Sequence, residues 1–119
     1  MTPDAYKRRL LALREEQVVA GGRTFTVRRL GELAIARLRE KHREDSSAFV
    51  VELVRQSVVG WDMDEASLFV GGGDSAVPFD TDLFVTWVED QADVYAGLAN
   101  GILEMISRHR EQREASAKN

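Results

Sequence analysis

The stretch Asp62-Met63-Asp64-Glu65-Ala66-Ser67-Leu68-Phe69-Val70-Gly71-Gly72-Gly73-Asp74 gathers residue types that could do chemistry. Asp62 and Asp64 have the Asp-x-Asp spacing that opens a calcium loop. Such a loop needs a third oxygen ligand at its fifth position, glycine at its sixth and glutamate at its twelfth. Those positions hold Ala66, Ser67 and Gly73, so no metal site is expected. Gly71-Gly72-Gly73 follows apolar Leu68-Phe69-Val70, as a phosphate loop follows a strand. Neither Gly-x-Gly-x-x-Gly nor Gly-Lys-Ser/Thr continues it, and Asp74 comes next. A phosphate cradle needs free N–H groups and positive charge there, so the triple glycine reads as a flexible turn.

Acid–base and nucleophilic chemistry find no better support. His42 lies among Glu, Lys and Arg, and His109 lies in a charged tail; neither has a serine or aspartate partner near it in sequence. The pairs Asp62/Asp64 and Asp80/Asp82 are explained by solvation and helix capping. With no cysteine, disulfides and thiolate metal sites are excluded. The chain reads as a non-enzyme with no cofactor.

Charge is distributed in blocks. Residues 1–60 carry 12 Lys/Arg and 8 Asp/Glu, a net of +4, whereas residues 61–107 carry 10 Asp/Glu and no basic residue. Residues 108–119 return to 4 basic against 2 acidic. Such blocks govern solubility and attraction to partners rather than fold. Arg23, Arg28, Arg29, Arg37, Arg39, Lys41 and Arg43 make one region basic, but Glu32, Glu40 and Glu44 dilute it and no aromatic is interleaved for base stacking. Nucleic-acid binding is therefore disfavoured. No apolar run approaches the roughly 20 residues of a membrane span, and the N-terminus lacks the apolar core of a secretory signal, so a cytosolic protein with no membrane partner is expected.

At 119 residues, 44% hydrophobic and 30% charged, the chain is expected to form one domain, 1–119. Thr2-Pro3-Asp4 starts a helix over about 3–15, with Tyr6, Leu10 and Leu13 on one face. Two β-rich runs flanking Gly21-Gly22 predict a hairpin over 17–28, with Phe25 and Val27 on one side and Thr24, Thr26 and Arg28 on the other. A second helix is expected over 31–43, with Leu33 and Leu38 inward. A third is expected over 47–59, capped by Ser46 or Ser47 and stopped by Gly60. Asp80 caps a helix over 81–89, with Phe79 and Phe84 placed for a hydrophobic staple. Another helical run spans 91–110, either continuous with the one before or separate, and residues 111–119 form a flexible tail. The fold class is thus mainly α: four to five helices with a short N-terminal β-hairpin.

The long apolar-acidic segment between the third and fourth helices is the remaining candidate site. Trp61, Met63, Leu68, Phe69, Phe79 and, in the next helix, Trp87 are the candidate partner-binding residues, either folded back on the core or exposed as an acid-rimmed patch.

Three fragments carry a family resemblance. "TFTVRRLGELAIARLRE" gives a strand, then Val-Arg-x-Leu, then an amphipathic helix; "LVRQSVVGWDMDE" ends a helix in a Val-x-Gly-Trp corner; "VPFDTDLFVTWVEDQADVYAGLANGILE" gives a Pro-Phe-Asp cap, an acidic helix and a closing helix. This order, over residues 17–107, resembles the tail assembly chaperones of long-tailed bacteriophages and prophages. The segment after Trp61 departs from the family, with "SLFVGGGDSA" in place of a short Asp-Gly turn. The resemblance implies a non-enzymatic protein of the host bacterial cytoplasm that binds the tape measure protein, helps recruit the tail tube protein, and is absent from the mature virion. It also implies that a longer form arises by ribosomal frameshifting in many relatives, and self-association into a homo-oligomer is compatible with covering a long client. The same helices and size are compatible with a structural virion or head–tail joining protein, and the basic half with a small DNA-binding regulator.

Overall fold

Gly21 and Gly22, both at positive φ, make the tight turn that the hairpin needs. They join β1 (Glu15–Ala20) to β2 (Arg23–Arg28) in the antiparallel register Val18↔Phe25 and Ala20↔Arg23. The computed structural model of the protein describes residues 1–118. Among them are helices α1 (Pro3–Ala12), α2 (Glu32–Lys41), α3 (Ser46–Ser57), α4 (Glu65–Leu68), α5 (Thr81–Val88) and α6 (Ala92–Lys118).

The expected mainly helical class is overturned. Val58–Trp61 forms a third strand, β3, antiparallel to β2 with Phe25↔Trp61 and Val27↔Val58. The protein is 60% helical with a three-stranded antiparallel sheet ordered β1-β2-β3, a mixed α/β fold. The physical reason lies in Val58 and Val59. Their branched side chains favour extended backbone, and β2 offers an open edge to satisfy their peptide groups. Helix α3 accordingly stops at Ser57 rather than at residue 59, and Gly60 lies in a strand instead of ending a helix. A bulge between Thr26 and Val27 absorbs the extra residue.

Other boundaries also move. α1 ends at Ala12 rather than near Glu15, because Glu15 and Glu16 pair with β2. Asp45, not Ser46 or Ser47, caps α3: its Oδ1 accepts from Ala48 N at 3.0 Å. Residues 81–88 and 92–118 are two helices, broken at Glu89–Gln91. α6 continues to Lys118 in place of the flexible tail expected from 111, since Glu111 to Lys118 contains good helix formers and neither Gly nor Pro. Asn119, the last residue of that tail, lies outside the described residues.

One face of the sheet is buried and the other solvated. Phe25, Val27 and Ala20 point inward, while Gln17, Thr26 and the Arg28–Glu15 ion pair (2.6 Å) lie outside. α6 lies across the buried face against β1. Gly97 and Gly101, one helical turn apart, make this approach possible. A Cβ at Gly97 would fall 2.9 Å from Ala20 Cβ, and one at Gly101 2.8 Å from Val18 Cγ1. Leu98, Ile102, Met105 and Ile106 of α6 then meet Phe25, Leu53, Val54 and Phe84 in the core.

Candidate functional site

Trp61, at the end of β3, organises the segment that follows it. Its indole Nε1–H donates to Val77 O at 2.8 Å, which pins the returning chain. The rings of Phe79, Phe84 and Trp87 surround it at centroid distances of 5.3, 6.4 and 6.2 Å. Phe79 and Phe84 approach to 6.0 Å as the staple requires, and Asp80 caps α5 by accepting from Leu83 N at 2.9 Å. Edge-to-face pairs of this kind add about 0.5–1.5 kcal/mol each beyond their area.

The segment between Trp61 and Asp80 is stitched to itself. Glu65 N donates to Ser75 O (3.0 Å), Ala66 N to Gly73 O (2.9 Å) and Val77 N to Met63 O (2.9 Å). Asp64 and Ser67 form a reciprocal cap on α4, and the bonds from Ser67 hold the Asp64 carboxyl below the usual range. The triple glycine has a steric role, because a Cβ at Gly72 would fall 2.5 Å from Glu65 O. A turn closed by Gly72 N to Phe69 O (3.1 Å) leaves Phe69 and Val70 at its tip.

The six candidate partner-binding residues therefore separate. Met63 is buried; Trp61, Leu68, Phe79 and Trp87 are half-buried against the core; Phe69 alone is exposed, at 63%, beside fully exposed Val70. Apolar surface is found instead on α1, which has no buried residue. Tyr6 and Leu10 on one face of it and Leu13 at its C-cap are 55%, 60% and 78% exposed. Leu33, expected inward, is also exposed. A mostly apolar groove of about 330 Å³ lies between α3, α5 and the start of α6, lined by Val51, Val85, Val88 and Tyr95.

A second feature was scattered across the sequence. Arg14 after α1, Arg29 between β2 and α2, Arg39 on α2, and His109, Arg110 and Arg113 on α6 line two hollows that share Arg29, Glu32 and His109. They border a cleft of about 260 Å³ with Ile35, Ala36 and Ile106 among its walls, and a shallower hollow beside Gly31 and Leu33. Arg113 donates to Glu32 Oε2, and His109 Nε2 lies 3.6 Å from Glu32 Oε1. The Arg113 hydrogen bond chiefly holds the Glu32 carboxyl below its ordinary pKa. Burial and then Arg14 lower Arg29, and burial and then Arg29 lower His109. The positive field is thus only partly neutralised, and such a cleft can hold carboxylate or phosphate groups. His42, by contrast, is tied to Glu52 (2.5 Å), which Lys41 also binds (2.9 Å).

Among the described residues no three His, Cys, Asp or Glu side chains cluster as metal ligands would, and no helix is long and apolar enough to cross a membrane. Compared with models of protein families, with curated proteins and with solved structures, the chain finds no match.

Proposed function

We propose that this protein is a phage tail assembly chaperone: a non-enzymatic partner, without cofactor, that binds the tape measure protein and helps recruit tail tube subunits in the host cytoplasm. The order of motifs from Thr24 to Glu104 supports the family. The observation that carries the mode of action is α1. A ten-residue helix is marginal alone in water, yet α1 buries no residue and holds Tyr6, Leu10 and Leu13 outward. A helix so displayed gains most of its stability when its stripe meets another apolar surface. A tape measure protein before tube closure offers such surface as long helical stripes. The acidic block 61–107 keeps the complex soluble and attracts basic partners.

Co-expression with the cognate tape measure protein tests the reading. The chaperone should keep that protein soluble and co-purify with it, and the triple variant Tyr6→Ser/Leu10→Ser/Leu13→Ser should lose both effects while folding normally. Absence of binding by the wild-type chain overturns the proposal. So does finding the protein as a stoichiometric part of purified virions, which would favour a structural role.

A further inference from the structure

Helix α2 carries Glu32, Ile35, Ala36 and Arg39 at the i, i+3, i+4, i+7 spacing of one helical face. α6 carries Ile106, His109, Arg110 and Arg113 at the same spacing. The two faces meet across the cleft of about 260 Å³, and Arg29, just after β2, completes its lining. Ile35 and Ile106 are buried and give the cleft an apolar wall, with Ala36 exposed beside them.

The charges in this cleft do not cancel. Glu32 is the carboxylate that lines it, and Arg113 and His109 already bind that group. Among the described residues no carboxylate pairs with Arg29, Arg39 or Arg110. Arg29 Nη1 donates to Leu30 O (3.0 Å), and the Arg39 guanidinium lies 5.7 Å from the centroid of the Phe49 ring. Neither contact removes positive charge. Arg14 adds to the same field from the neighbouring hollow, where glycine at 31 admits it: a Cβ there would fall 3.3 Å from its Nη1. Burial and then Arg14 lower the Arg29 pKa, as expected of a guanidinium held beside like charge.

The number of guanidiniums points to the kind of anion. A carboxylate has two oxygens and one charge, which a single arginine fork satisfies. Arg29, Arg39 and Arg110 bring three forks from three elements, more than one carboxylate needs. A phosphate monoester offers three acceptor oxygens and about 1.5–2 negative charges at neutral pH. A backbone phosphodiester of nucleic acid carries one charge and would leave the excess in place. We infer that this cleft binds a phosphate monoester carried on an apolar body, with the phosphoryl oxygens on Arg29, Arg39 and Arg110, the apolar part on Ile35, Ala36 and Ile106, and Glu32 as an internal competitor for the arginines. A bound ester ties α6 to α2 and to the end of β2. The site stands on this chain's own charges and does not require the phage client proposed above.

Titration of the ¹⁵N-labelled full chain with phenyl phosphate at constant ionic strength, read by amide chemical shifts, tests it. Saturable shifts should centre on residues 32–39 and 106–113, with Kd about 1 mM or tighter. Benzoate keeps the ring but carries a singly charged carboxylate, and inorganic phosphate keeps the charge but lacks the ring; each should bind about tenfold more weakly. Arg39→Gln/Arg110→Gln should lose about tenfold in affinity for phenyl phosphate. Glu32→Gln should move the other way and bind about threefold more tightly or better, because it frees Arg113 and His109 and removes a repelling charge. A purely structural carboxylate would give no such gain. These three positions are exposed, and circular dichroism checks that each variant folds. A short 5′-phosphorylated oligonucleotide should bind through its end, and the same strand without that phosphate should bind about tenfold more weakly. The absence of saturable shifts up to about 10 mM phenyl phosphate overturns the inference. So does equal affinity for benzoate or inorganic phosphate, equal binding of the two oligonucleotides, or a Glu32→Gln variant that gains nothing. Should either variant fail to fold, the other variant and the comparison of ligands on the wild type decide.

Discussion

Replacing Gly97 by alanine tests the contact that places α6 on the sheet. In an open helix the change would stabilise by about 1 kcal/mol, since glycine has the greater backbone freedom to lose. Here the new Cβ would lie 2.9 Å from Ala20 Cβ and 3.4 Å from Ala20 Cα. Carbon atoms settle near 3.5 Å or beyond, so the helix and strand must part by about half an ångström. Ala20 is buried and its methyl group is fixed to the backbone, so no rotamer change relieves the clash. Overpacking of this kind costs about 1–3 kcal/mol, which leaves a net loss of roughly 0–2 and most simply about 1 kcal/mol. For a chain of this length that lowers Tm by roughly 3–5 °C. Gly101→Ala is the internal control. Its clash at 2.8 Å is with Val18 Cγ1, a side-chain atom that can rotate, so its net effect should be near zero. Urea unfolding followed by circular dichroism gives both values, with an unchanged m-value as the sign that only stability has moved. In an Ala20→Gly background, Gly97→Ala should become favourable, a coupling of about 1–2 kcal/mol. If Gly97→Ala instead raises stability by about 1 kcal/mol in the wild-type background, the close approach of α6 to β1 is wrong.

Three further outcomes are expected. Ser57 is fully buried and its Oγ has no hydrogen-bond partner among the described residues, so Ser57→Ala should raise stability by about 1 kcal/mol in the same urea assay. Acidification should destabilise in two stages. Burial and Arg29 hold His109 below its ordinary pKa, and hydrogen bonds from Arg113, from Lys41 and His42, and from Ser67 hold Glu32, Glu52 and Asp64 below theirs. A folded-state pKa below the unfolded one adds stability that is complete above the unfolded value and is lost as pH falls through the folded one. His109 acts first, just below neutral pH, and the carboxylates act in the acid range. His109→Gln should remove the first stage from a plot of urea midpoint against pH and leave the second. Tyr6→Ser/Leu10→Ser/Leu13→Ser should leave Tm within about 2 °C of the wild type, because surface changes of this kind rarely exceed half a kcal/mol; a larger fall would mean that the stripe packs on its own chain.

What was legible in the sequence was local. Gly21-Gly22 between two β-rich runs gave the hairpin and its two faces, and Phe79-Asp80 with Phe84 gave the cap and staple of α5, because each signal lies within a few residues of its effect. β3 was hidden because Val50, Leu53, Val54 and Val58 continue a helical period across the point where the chain turns into the sheet. Only pairing with Phe25 and Val27, more than thirty residues upstream, decides the outcome. The stripe Tyr6, Leu10 and Leu13 is legible as one face of a helix, but its exposure is not, since periodicity finds an apolar face without showing what covers it. The arginine cleft comes from four separate segments of the chain. The nearest signal to it was the block pattern of charge, which places no residue beside another.

The same separation explains how a small fold can serve as a platform for contacts. Phe25, Leu53, Phe84, Leu98 and Ile102 form a core with no exposure, and the rings of Phe79 and Trp87 extend it to Trp61 at the base of the acidic loop. The Trp61 indole hydrogen bond to Val77 O then holds the loop's return strand, so the position of Phe69 is set by the core rather than by the turn alone. At the other end Arg113 and His109 reach Glu32 from α6, whose depth on the sheet is fixed where Gly97 meets Ala20. Moving that helix should shift the cleft, because His109 and Arg113 ride on it, while the Trp61 hydrogen bond keeps the loop in place.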